Sequence, residues 1–94
     1  MIVKKVYKFY SDTCAPCKML TSMLRNTESK ELIEDVDISK RHDLVQKFNI
    51  RKVPTLVFVD EKGEHLFSSV GIITSAEFEK LIKDLEDGDR KLGV

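Results

Sequence analysis

Cys14 and Cys17, in the stretch SDTCAPCKML at 11–20, are the residues of this chain whose types and spacing could do chemistry, and it has no other cysteine. Two thiols at that spacing can form a structural disulfide, supply half of a metal site, or work as a redox pair. A bridge within CxxC closes a very short loop. The entropy a crosslink removes from the unfolded chain grows with loop length, so this one would be a poor staple. A closed zinc site needs about four ligands, and His42 and His65 stand at no recognisable spacing from the cysteines.

The setting favours redox chemistry. Residues 2–10 are rich in Val, Ile, Tyr and Phe and predict a strand. Cys17, Leu20 and Leu24 recur at i, i+3 and i+7, with Met23 beside them, and predict a helix starting at the cysteines. Cys14 then sits where strand gives way to helix. Unpaired backbone N–H groups and the positive end of the helix dipole favour its thiolate there. Pro16 suits a first turn, which has no helical hydrogen bond to lose. Cys17 lies one turn on, in line with the apolar stripe, and should be the more buried thiol. An exposed, activated thiol backed by a shielded one is what thiol–disulfide exchange requires: Cys14 attacks and Cys17 resolves.

The remaining elements must hold that tip in place. LIEDVDI at 32–38 predicts a second strand. Ser39 is expected to cap a second helix with Leu44, Val45 and Phe48 facing inward, and Asn49 to close it in the left-handed conformation. TLVFV at 55–59 predicts a strand buried on both faces. DEKGE at 60–64 predicts a tight turn into HLFSSV at 65–70. Thr74 and Glu77 have the spacing of a capping box, ahead of an apolar face formed by Phe78, Leu81, Ile82 and Leu85. Gly88 is expected to end that helix, with a loose tail beyond. The order βαβαββα implies an α/β fold. A right-handed crossover makes the first two strands parallel, and a tight turn makes the last two antiparallel. The expected architecture is a four-stranded mixed sheet with helices on both faces, in a single domain over 1–94.

Composition excludes other classes. Sixteen basic and sixteen acidic side chains cancel, leaving no basic field to attract nucleic acid. No apolar run approaches the ~20 residues that span a bilayer. The opening MIVKKVYKFY alternates like a strand rather than reading as a secretory signal. A cytoplasmic location is therefore expected.

FYSDTCAPCK at 9–18, KFNIRKVPTLVFV at 47–59 and VG at 70–71, in that order, resemble the motifs of the thioredoxin family over nearly the whole chain. The resemblance implies a thioredoxin fold, with Cys14 and Cys17 as nucleophilic and resolving thiols. It matches Pro54 to a cis-proline lying against the active site, where a proline at a strand start would otherwise suffice as explanation. It makes Val53 a backbone partner for an extended substrate segment, and puts Gly71 in the loop facing the cysteines with Ile72 at the edge of that surface. The implied protein is a monomeric disulfide reductase with no bound cofactor beyond the Cys14–Cys17 pair. It would be recharged by a thioredoxin reductase-type flavoprotein and would reduce protein disulfides, with ribonucleotide reductase a candidate.

The departures from the family bear on mechanism. The family's usual amino-terminal strand and helix are missing, leaving the smaller core shared with glutaredoxins. Thr13 replaces the usual Trp and Ala15 the usual Gly. A glutathione-dependent, glutaredoxin-like enzyme is the alternative, disfavoured because CAPC lacks an aromatic and SSVGIIT lacks paired glycines. An interaction module without turnover is a third reading, which the intact cysteines and VPT oppose. Lys8, six residues before Cys14, occupies the place of a buried Asp that helps proton transfer at the resolving thiol. It should share a strand face with Val6 and Tyr10. The expectation is that its side chain snorkels to solvent at the sheet margin; the alternative is an ammonium behind Cys17 that stabilises a thiolate.

Overall fold

The computed structural model describes residues 2–87. Its elements follow the expected order: β1 (Lys5–Tyr10), α1 (Ala15–Met23), β2 (Ile33–Asp37), α2 (His42–Lys47), β3 (Thr55–Val59), β4 (His65–Val70) and α3 (Ser75–Glu86), with a 3-10 turn at Lys30–Leu32. The expected helix stop at Gly88 and the tail after it lie outside the described residues.

The strands form one mixed sheet in the order β2-β1-β3-β4. β1 runs parallel to β2 and antiparallel to β3, and β3 runs antiparallel to β4. Every residue of β3 is buried, as its unbroken apolar run predicts. Alternation then divides the core into two. Leu56 and Phe58 join Val6, Leu20, Leu24, Phe78 and Ile82 on the side covered by α1 and α3. Val57 and Val59 join Phe9, Val36 and Leu44 on the side covered by α2. Burying a side chain as large as Phe contributes about 1.5–3 kcal/mol, so the two clusters fix the sheet between its helices.

Local signals set most element ends. Thr74 Oγ1 accepts from Glu77 N at 3.1 Å while Glu77 Oε1 accepts from Thr74 N at 2.8 Å, completing the expected capping box. Asn49 adopts φ +53° after α2, the left-handed conformation Asn tolerates. In the β3–β4 turn, Asp60 Oδ1 accepts from Lys62 N and Glu64 N.

Two expectations need correcting. Regular pairing of β1 begins at Lys5 rather than Ile2. Ile2 is 70% exposed, and only Lys4 N continues the ladder, donating to Val59 O at 2.8 Å. Ser39 does not cap α2, which starts at His42 after Arg41 with no side-chain cap. Asp37 Oδ1 instead accepts from Ser39 N at 2.9 Å and Ser39 Oγ at 2.7 Å. A carboxylate two residues upstream is the stronger acceptor and holds the serine in an Asx turn.

Glu79 of α3 ties the chain after α1 to the rest of the domain. Its carboxylate accepts from Thr27 Oγ1 at 2.5 Å, Ser29 N at 2.7 Å and Ser29 Oγ at 2.9 Å. Partial burial pushes the Glu79 carboxyl up, but the hydrogen bonds from Thr27 and Ser29 outweigh it and hold the group below its ordinary value. A depressed folded value means the stabilisation is present above the ordinary carboxylate range and is lost as pH falls through the folded one. Thr27 is buried, so Glu79→Ala strands its hydroxyl and is expected to cost about 1–2 kcal/mol near neutral pH. Urea denaturation against pH checks this. A deficit that persists unchanged into strong acid would contradict the carboxylate's role.

Candidate active site

β1 ends at Tyr10, and Cys14 N donates to Ser11 O at 3.3 Å, closing a turn that carries the chain into α1. Cys14 is the N-cap of that helix, with extended backbone at φ −94°, ψ 104°. Its Sγ accepts from Cys17 N at 3.0 Å. Sulfur thus takes the place usually given to a Ser or Asp oxygen, satisfying one of the free N–H groups at the helix start. A sulfur bearing negative charge accepts that bond better than a neutral one, and the helix dipole acts in the same direction. Pro16 lies in the first turn.

The apolar stripe of α1 turns Cys17 and Leu20 inward. Cys17 is 4% exposed, whereas Cys14 is half-buried. The two form a disulfide with their Cα atoms 5.2 Å apart.

Register brings a second group of expected residues to the same end of the sheet. Phe9 stands opposite Thr55, and Thr55 opposite Val70. Pro54 and Gly71, the next residues outward, therefore lie at the end where β1 leads into the cysteine turn. Gly71 N donates to Pro54 O at 2.9 Å. The Val53–Pro54 bond is cis, and Gly71 has φ +98°. A Cβ at Gly71 would meet nothing within 4 Å, so the backbone conformation, not space, calls for glycine there. Pro54 is fully buried and Ile72 is 41% exposed. Val53 lines a separate shallow cleft with Ile38, Val45 and Ile50.

Lys8 is where expectation fails. It is 5% exposed and does not snorkel to solvent. Its Nζ donates to Thr21 Oγ1 and pairs with Asp35 Oδ1 at 3.2 Å. Thr21 Oγ1 donates in turn to Cys17 O at 3.1 Å. Lys8 and Cys17 line one cleft of about 280 Å³ with Thr21 and Asp35; Val53, Pro54, Gly71 and Ile72 lie outside it. Thr21 and Asp35 were not anticipated as neighbours of the site. The parallel register sets Asp35 directly across from Lys8, and no local pattern encodes that offset.

A vicinal cysteine pair that opens and closes a bond at a helix start, one sulfur reachable and one shielded, has dithiol–disulfide exchange as its chemistry. The protein is a thiol–disulfide oxidoreductase. The Thioredoxin family model matches residues 2–84, and the chain belongs to that family.

A thioredoxin of Borreliella burgdorferi is 32% identical over 83 residues, covering 84% of this chain and 70% of that protein. A prophage-derived thioredoxin-like protein of Bacillus subtilis is 27% identical, covering 86% of this chain and 98% of the relative. Among solved structures, the reduced thioredoxin pre-protein of Schistosoma mansoni superposes with a TM-score of 0.73 at 27% identity. That match covers 88% of this chain and 79% of the other. Like its relatives' family, the chain calls for a reductase-type electron donor and protein substrates.

Proposed function

We propose that Cys14 is the attacking thiol and Cys17 the resolving thiol of a cytoplasmic, monomeric reductase of protein disulfides. The hydrogen bond from Cys17 N to Cys14 Sγ at the start of α1, with Cys17 itself buried, carries this reading. The Cys14 thiolate attacks a substrate disulfide, forming a mixed disulfide and releasing one substrate thiolate. Cys17 loses its proton and attacks Cys14, closing the Cys14–Cys17 bond and releasing the second thiol. The pair is the whole redox centre and needs no further cofactor. Val53 offers its backbone to an extended substrate segment beside Pro54, with Gly71 and exposed Ile72 bounding the docking edge.

The electron source in this reading is a thioredoxin reductase-type flavoprotein, with ribonucleotide reductase among the candidate acceptors. Reduction of a protein disulfide is followed in two arms, NADPH with thioredoxin reductase against glutathione with glutathione reductase. Turnover is expected in the first arm. Turnover confined to the glutathione arm would overturn the assignment.

A further inference from the structure

Lys8 is the only lysine, arginine or carboxylate buried among the described residues, and the exchange steps above do not use it. Burying an ammonium is costly unless it is paired and hydrogen-bonded. Here Asp35 supplies the pair and Thr21 the hydrogen bond. The two charges are not equally shielded. The Lys8 side chain is 6% exposed and that of Asp35 58%, so water screens the carboxylate far more than the ammonium. The cleft shared with Cys17 therefore has its ammonium at the buried end and the partner carboxylate toward water. Through the Thr21 hydroxyl, the same ammonium is also linked to the carbonyl of Cys17.

We propose that Lys8 is a positioning residue for the resolving step, its ammonium stabilising the Cys17 thiolate in place of a carboxylate base. The proposal rests on Cys17 being the resolving thiol. With the substrate held on Cys14, the Cys17 thiol releases its proton to solvent in the cleft. Its thiolate forms in the field of Lys8 and attacks Cys14 Sγ. The Cys14–Cys17 bond forms as the bond to the substrate sulfur breaks, and the substrate leaves as a thiolate that takes a proton from solvent. One disulfide replaces another, with no further oxidant or reductant. A shielded thiol in apolar surroundings otherwise resists ionisation, and an opposite charge nearby offsets that.

The other titratable groups facing this cleft are Tyr10 from β1, Asp12 from the turn before α1, Lys18 on α1 and Asp35 on β2. The test must separate Lys8 from Asp35. In a Cys14→Ser background Cys17 is the sole thiol, and its ionisation is followed by ultraviolet thiolate absorbance and by the pH dependence of alkylation. Lys8→Met is expected to raise the midpoint by about one pH unit, and Lys8→Arg to keep it near the parent value. Asp35→Asn leaves the cation and removes its counter-charge, so its midpoint should stay level or fall. An unshifted midpoint in Lys8→Met overturns the proposal. So does an unshifted midpoint in Lys8→Gln, which keeps a polar group beside Thr21 without the charge, and this arm decides if Lys8→Met fails to fold. The titration requires no turnover, so its failure is distinguishable from a failure of Cys17 to resolve mixed disulfides.

Discussion

Cys14→Ser is expected to reduce disulfide exchange to the uncatalysed background, whereas Cys17→Ser should complete the first attack and then stop. The asymmetry follows from the start of α1. Cys14 caps the helix, where the dipole and the Cys17 N–H favour a sulfur anion, and it is the more exposed of the two. Cys17 faces inward with Leu20, which leaves it little access to a protein-sized substrate but places it beside Cys14. Without Cys17 nothing internal displaces the bound substrate, so the covalent adduct should accumulate to one equivalent. Intact-protein mass spectrometry after incubation with a disulfide substrate reads the outcome. If Cys14→Ser were the variant that trapped substrate, the two roles would be reversed.

Phe58→Ala should cost about 3–5 kcal/mol. Phe58 is fully buried in β3, with ring centroids 5.6 Å from Phe78 and 6.2 Å from Phe67. It joins the central strand to α3, and its loss leaves a cavity that the packed sheet and helix can only partly close. Small domains have only about 5–15 kcal/mol of total stability. The melting temperature should therefore fall on the order of 20 °C. Phe67→Ala provides the contrast, because Phe67 lies on the outer strand β4 and is 39% exposed. Thermal unfolding of both variants tests the assignment, and equal losses would mean that β3 is not the centre of the core.

What could be read ahead of the structure was whatever depends on local spacing. The unbroken run TLVFV, the Thr74–Glu77 box and the CxxC at a strand-to-helix junction carry their own physical signals, and each element appears where it was expected. Errors arose where two local signals competed. Ser39 has a good capping side chain, but Asp37 lies close enough to take its hydroxyl first. The surroundings of Lys8 are a different problem. Strand alternation gives the face of the sheet on which it lies, but its burial depends on Thr21 from α1 and Asp35 from β2 meeting there. That meeting depends on inter-strand register and helix placement, which no window of sequence contains.

The outer strand β2 has a consequence for how copies of the chain meet. Among the described residues it pairs only with β1, leaving a row of backbone donors and acceptors open to any other extended chain. Glu34, Asp35 and Asp37 lie along this short strand. Lys5 and Lys8 engage Glu34 and Asp35 from the inner neighbour, β1, so the neutralising charges come from within the molecule. A second copy approaching edge to edge would bring its own acidic strand against this one. Charged side chains along the edge, which pairing with another copy would strip of water, thus discourage the sheet from growing from molecule to molecule.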